Sequence, residues 1–226
     1  MTSPTPSLTL YFLQASRSIR TAWLLEELSL AYTVRAYARE NNKAPQAFRD
    51  AAQTALGKAP VLQDGQLRLT ESGAIAEYLL EKYDTQGRMM PREPAQRERA
   101  RMWIHAAEGT FMVHALAVTY ARWFCPQEVK SSGALREMEV GLGVNVKRDL
   151  DWLEGELEES GGPWLVGKEV SAADTMVAFS VQFIFARELG VGKEDVGKWP
   201  RVRKWLEMIE KHEAYRKAVE KTGHQL

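Results

Sequence analysis

A proline at the head of an apolar run constrains this chain most. In Gly57-Lys58-Ala59-Pro60-Val61-Leu62, Pro60 removes a ladder donor, so it belongs at the first residue of a strand or on a sheet edge. Ala59, just before it, then offers its N–H and C=O to something other than the sheet, most simply an extended peptide. Eleven residues after the proline comes Glu71-Ser72-Gly73-Ala74-Ile75. This segment opens an apolar-periodic stretch (Ile75, Leu79, Leu80, Tyr83), so the acidic-serine pair crowns a helix N-terminus. Such an end suits a carboxylate. A peptide-pairing edge beside a carboxylate-binding helix end describes a pocket for a small anionic peptide.

The surrounding sequence supplies a frame for that pocket. Leu8-Thr9-Leu10-Tyr11-Phe12-Leu13 is nearly all apolar, as in a strand buried on both faces. Ser16 to Leu30 has a helical pattern with Ile19, Ala22, Trp23, Leu25 and Leu28, and Tyr32 to Tyr37 alternates as a second strand. Strand-helix-strand implies a parallel pair with a crossover. A loop with a weaker helix follows, and then Asp64-Gly65 reads as a two-residue hairpin turn between Val61-Leu62-Gln63 and Gln66-Leu67-Arg68-Leu69. The order β-α-β, then β-β-α, is thioredoxin-like. Asp84 to Pro94, with Gly87, Pro91 and Pro94, reads as a linker, and strand signals vanish beyond it. Helices are expected from Ala95 to Phe124, along the stripe from Leu135 to Leu157, from Ser171 to Leu189, around Val202 to Ile209, and from Ala214 to Lys221. The expected division is a thioredoxin-like domain over 1–83, a linker over 84–94, and an all-helical bundle over 95–226.

Composition narrows the function classes. The 226 residues suffice for one large or two small domains. Lysine plus arginine equals aspartate plus glutamate, 30 each, so no global field favours nucleic acid or an anionic membrane. Cys125 is the only cysteine, which rules out an intrachain disulfide and fits a reducing, cytoplasmic compartment. Met1 to Ser7 is short and polar, unlike a secretory leader, and no apolar run approaches the length of a bilayer span. Neither His105 with His114 nor His212 with His224 has a third partner at metal-ligand spacing, so no metal is expected.

The order G-K-A-P-V-L, then D-G, then E-S-G-A-I resembles the glutathione-binding half of the cytosolic glutathione transferases. Ser16-Arg17-Ser18-Ile19-Arg20 is similar to the active-site stretch of their serine type, found in bacterial and fungal members. Ser171-Ala172-Ala173-Asp174 is similar to the family's helix-capping motif. The likeness runs from about Leu8 to Lys221. By itself Ser16 reads as an N-cap, accepting a bond from an N–H two or three residues on. The resemblance implies instead that Ser16 donates a hydrogen bond to the thiolate of glutathione, aided by the helix N-terminus. Tyr11 lies deeper in the strand than the tyrosine other classes use, a position held here by Gln14, and reads as pocket wall or core. Arg20 reads as structural, pairing with an acid within its domain.

The resemblance further implies that Glu71 and Ser72 hold the γ-glutamyl end, that Ala59 pairs with the cysteinyl unit, and that Pro60 is cis. Lys43 and Lys58 are the nearest cations for the glycyl carboxylate, with a solvated charge an equal reading for each. Glu108 would reach across a twofold dimer to the γ-glutamyl amine, and Phe111, Met112, His114 and Tyr120 would wall the second substrate, although helical spacing makes most of these core by default. Ser171-x-x-Asp174 is a capping box with aspartate in place of glutamate, and Val170 with Thr175 makes a weak staple. The expected protein is thus a homodimeric detoxification transferase that joins glutathione, its co-substrate, to small electrophiles. Two alternatives stay open: glutathione-dependent peroxide or disulfide reduction, and a non-catalytic binding module on the same fold.

Overall fold

A computed structural model describes residues 8–195 and 197–226. Met1 to Ser7, on which the expectation about a secretory leader rests, lie outside the described residues. The chain divides into two compact units. One runs up to Arg97 and takes in Ile209–Leu226, and the other is Glu98–Met208.

The first unit is built on a four-stranded sheet of β1 (Leu8–Leu13), β2 (Tyr32–Tyr37), β3 (Val61–Asp64) and β4 (Leu67–Leu69), in the order β2-β1-β3-β4. β1 pairs parallel with β2, Leu8 opposite Tyr32, and antiparallel with β3, Tyr11 opposite Val61. A strand flanked on both edges and covered on both faces is built almost wholly of apolar residues, and β1 accordingly carries no charge. Alternation sends Tyr11, Leu13 and Val61 to one face, where they meet Phe48 and Ala52 of α2 (Gln46–Ala52). Leu10, Phe12 and Leu62, also buried, take the other face. There α1 (Ser18–Glu27) packs on β1 and on α3 (Ser72–Tyr83). The hairpin turn falls one residue later than the sequence suggests: Asp64 pairs with Leu67, so Gly65 and Gln66 form the loop, with Gly65 at φ +57. Tyr11 is core as expected, 2% exposed, its hydroxyl donating to Gln63 Oε1 at 2.9 Å.

The same unit contains α10 (Glu213–Thr222), which lies on α1. Trp23 of α1 meets Tyr215 edge-on with ring centres 5.2 Å apart. Buried Glu27 accepts from Trp23 Nε1 at 2.9 Å and lies 2.6 Å from His212 Nε2. The sequence reading assigns 95–226 to the helical domain, whereas Ile209–Leu226 clusters with the sheet-containing unit.

The second unit is helical among its described residues. The helix expected from Ala95 to Phe124 is divided: α4 (Pro94–Ala106), a six-residue π segment (Ala107–Met112), then α5 (Val113–Phe124). Widening the turn changes which carbonyls the helix itself satisfies, and Ser180 Oγ donates to Ala107 O at 3.0 Å. Two short elements absent from the sequence reading, α6 (Gln127–Ser131) and a 3₁₀ turn (Lys193–Asp195), join the longer ones. In α7 (Ala134–Glu159) the apolar stripe is buried from Val146 to Leu157, whereas Met138 at its start is 50% exposed. Gly143 of α7 abuts Gly190, where a Cβ would stand 2.8 Å from the Gly190 Cα.

The central helix is α8 (Ala172–Ala186), strongly apolar and buried continuously from Ala172 to Gln182. Asp174 begins it. Its Oδ2 accepts from the Ser171 N–H at 2.9 Å and from Ser171 Oγ at 3.0 Å. Its Oδ1 accepts from the Leu165 N–H at 3.0 Å and from Trp205 Nε1 of α9 (Pro200–Lys211) at 2.9 Å. Burial pushes this carboxyl above its usual range, and the four donors offset that only in part.

Candidate functional site

The candidate site is assembled in the first unit from three junctions: the end of β1, the entry to β3 and the start of α3. At the first, Ser16 follows Ala15, whose φ of 49 turns the chain out of β1. Ser16 is 5% exposed, and its Oγ lies 2.6 Å from Leu13 O and 2.9 Å from Ser18 Oγ while accepting the Ser18 N–H at 3.2 Å. The local bond to the N–H two residues on therefore exists, as a serine at a helix entrance allows. A hydroxyl has one proton, and the shortest contact sends it to Leu13 O. Arg39, which drew no notice in the sequence, frames this turn by donating from Nε to Gln14 O at 2.8 Å and from Nη2 to Ala15 O at 3.1 Å. Nothing in a lone arginine after a strand signals that reach.

At the second junction the Ala59–Pro60 bond is cis. β3 begins at Val61, so Ala59 stands outside the ladder, half-buried against the cluster that holds Tyr11, Phe48 and Val61. Lys58 is exposed. Lys43, also exposed, closes a tight turn through mutual backbone bonds with Glu40 of 3.0 and 2.9 Å.

At the third, α3 starts without a side-chain cap. Glu71 is exposed and holds φ 67 and ψ 114, a conformation L-residues avoid. Its carbonyl accepts the Ile75 N–H at 2.9 Å, which begins the helix. The N–H groups of the first turn have no intrahelical acceptor by construction, and no capping side chain takes them. Ser72 is 3% exposed, and its Oγ accepts from Arg20 Nη1 of α1 at 3.0 Å. Arg20 thus ties the helix after Ser16 to the start of α3.

Glu108 falls in the other unit, half-buried on the π segment. Of the expected second-substrate wall, Phe111 and Met112 are buried and Tyr120 is 42% exposed. His114 is partly exposed, with Nδ1 2.7 Å from Asp149 Oδ2. Among the described residues no group of three His, Cys, Asp or Glu is arranged to hold a metal ion, and no helix is long and apolar enough to cross a membrane.

Comparison with known proteins places the whole chain in a family. Residues 6–81 match the family model described as glutathione S-transferase, N-terminal domain, and residues 117–207 the one described as glutathione S-transferase, C-terminal domain. Glutathione S-transferase 1 of Saccharomyces cerevisiae is 27% identical, over 96% of this chain and 95% of its own. A glutathione S-transferase-like protein of Aspergillus terreus is 30% identical over 88% of each chain. The crystal structure of a glutathione S-transferase from Actinobacillus pleuropneumoniae superposes with a TM-score of 0.80 at 34% identity, covering 97% of this chain and 94% of that one. On the matched halves, the full-length relatives and the shared architecture, the chain belongs to the glutathione S-transferase family.

Proposed function

We propose that the protein conjugates the thiolate of glutathione to electrophilic small molecules, with Ser16 holding that thiolate. The observation that carries the reading is the uncapped start of α3, where Glu71 is held in a disfavoured conformation beside a buried Ser72. Strain persists where surrounding structure enforces it, and it clusters at ligand clamps. The Ser72 N–H and hydroxyl meet the γ-glutamyl carboxylate, and the Glu71 carboxylate meets its ammonium. Ala59 pairs through its backbone with the cysteinyl unit ahead of cis-Pro60, and Lys43 and Lys58 supply charge for the glycyl carboxylate.

The sulfur then lies at the entrance of α1, where the Ser16 hydroxyl turns its proton from Leu13 O to the thiolate. Lowering a thiol pKa by two units takes about 2.7 kcal/mol. One hydrogen bond to a charged group contributes roughly 1.5–3 kcal/mol, and the helix end adds to it. The thiolate attacks an electrophilic carbon, forming a C–S bond as the leaving group departs or a ring opens. Ser16 is a donor throughout and never a nucleophile. The transferase names of the relatives support transfer over the peroxide and disulfide alternatives. Two structural neighbours are described as holding glutathione, a Sulfitobacter homologue and a Lodderomyces elongisporus homologue with two per subunit.

A twofold dimer is part of the proposal, with Glu108 reaching the partner subunit's γ-glutamyl amine, as is a cytoplasmic detoxification role. An obligate interface buries roughly 2,000 Å² or more, so the dimer should persist at micromolar concentration in sedimentation. Glu108→Gln should then raise the Michaelis constant for glutathione and leave the dimer intact. The thiolate assignment is tested by absorbance of bound glutathione against pH. The wild type should give a thiol pKa well below that of free glutathione, and Ser16→Ala should move it up. A shift produced by Tyr11→Phe and not by Ser16→Ala would reassign the donor.

A further inference from the structure

Gln14 lies two residues before Ser16, and its side chain is bound at both ends by the far end of the chain. Its Nε2 donates to Thr222 O at 3.0 Å, and its Oε1 accepts from the Gln225 N–H at 3.3 Å. The backbone of Gln14 is fixed as well, its N–H donating to Tyr37 O at 3.0 Å and its carbonyl accepting from Arg39. Between Gln14 and Ser16 stands Ala15 at φ 49, a left-handed conformation that an alanine holds only when its surroundings impose it.

The segment that reaches Gln14 is itself well anchored. Gly223 ends α10 at φ 63, and Thr222 Oγ1 donates to Ala218 O at 2.7 Å. His224 is 8% exposed, with its ring edge-on to Phe12 of β1 at 6.0 Å. All of these residues belong to one compact unit. An amide suits the position because one end must donate to a carbonyl and the other must accept from an N–H.

We infer that the Thr222–Gln225 turn clasps Gln14 and so holds the Ala15–Ser16 backbone in register, making Gln14 a positioning residue for the Ser16 hydroxyl. This rests on the proposed role of Ser16 as thiolate donor. The clasp makes placement of that hydroxyl depend on α10 being docked.

The test compares Gln14→Leu, which keeps the volume and loses both bonds, with deletion of residues 224–226 and with the two combined. Gln14→Leu should lower kcat about tenfold and raise the bound-thiol pKa by about one unit, since small misplacements of a reacting group are costly. The Michaelis constant for glutathione should stay within about twofold, because the α3 end is untouched. The deletion, which removes the Gln225 bond and leaves the one to Thr222 O, should shift both readouts in the same direction by less, and the combination should add nothing to Gln14→Leu, as expected of residues acting as a unit. A loss of melting temperature alone, with thiol pKa and kcat unchanged, would overturn the clasp, as would fully additive effects. If Gln14→Leu does not fold, the deletion decides by the same readouts. Ser16→Ala separates the two readings. If it leaves the thiol pKa unchanged, both fall; if it raises the pKa and neither clasp variant does, the clasp alone falls.

Discussion

Two helices in this protein begin with a serine and a carboxylate, and the two beginnings are built for opposite ends. At α8, Asp174 is wholly buried and accepts four bonds, from Ser171 twice, from Leu165 and from Trp205. Every oxygen is spoken for, and the helix end is closed by its own side chains. At α3, Glu71 stays exposed in a disfavoured conformation, Ser72 turns its hydroxyl toward Arg20, and no side chain caps the first turn. A helix end that the chain does not satisfy is satisfied by water or by a ligand. On the proposed reading the difference separates stability from binding: the closed start holds a core together, and the open one is left for a carboxylate.

Substitutions at the two starts should therefore part company. The largest effect is expected at the closed one. Asp174→Ala strands the Leu165 and Ser171 N–H groups and the Trp205 indole, and should cost about 3–5 kcal/mol in denaturant unfolding. A cost below about 1 kcal/mol would mean the capping network is ornamental. Ser72→Ala should weaken binding to immobilised glutathione by about 1–3 kcal/mol, the penalty for leaving a charged partner unmet. Unchanged retention would move the site away from α3. Ser171→Ala should cost about 1 kcal/mol of stability, the usual value of an N-cap, and leave glutathione affinity alone.

The smallest change is the sharpest in sign. Glu71→Gly relieves a left-handed backbone, so melting should rise or hold, by about 0.5–1 kcal/mol at most. Glutathione binding should fall because the carboxylate is lost. A variant both less stable and equally competent would erase the contrast between the two starts.

Much of this was legible in the residues themselves. β1 and β2 have the expected limits because an all-apolar run and a strict alternation each fit one sheet position. The Ser171–Asp174 box follows from a short motif whose physics is local, whereas the cis bond at Pro60 is expected from the family resemblance. What escaped depends on distant partners. The period of Ala95 to Phe124 reads as one helix, and nothing within it announces the π segment, which meets Ser180 some seventy residues on. The amphipathic face of α10 says that something covers it, not that Trp23 of α1 does. Gln14 and Arg39 look like ordinary polar residues at a strand end, and only the fold brings Thr222, Gln225 and the Ser16 turn to them.

The claim that the open start of α3 is a carboxylate site is tested most directly by a crystal structure with glutathione. The account predicts the γ-glutamyl carboxylate within about 3.2 Å of both the Ser72 N–H and its hydroxyl, with the sulfur at Ser16 Oγ. Glutathione bound elsewhere, or turned so that another group faces α3 and the sulfur lies away from Ser16, would contradict it.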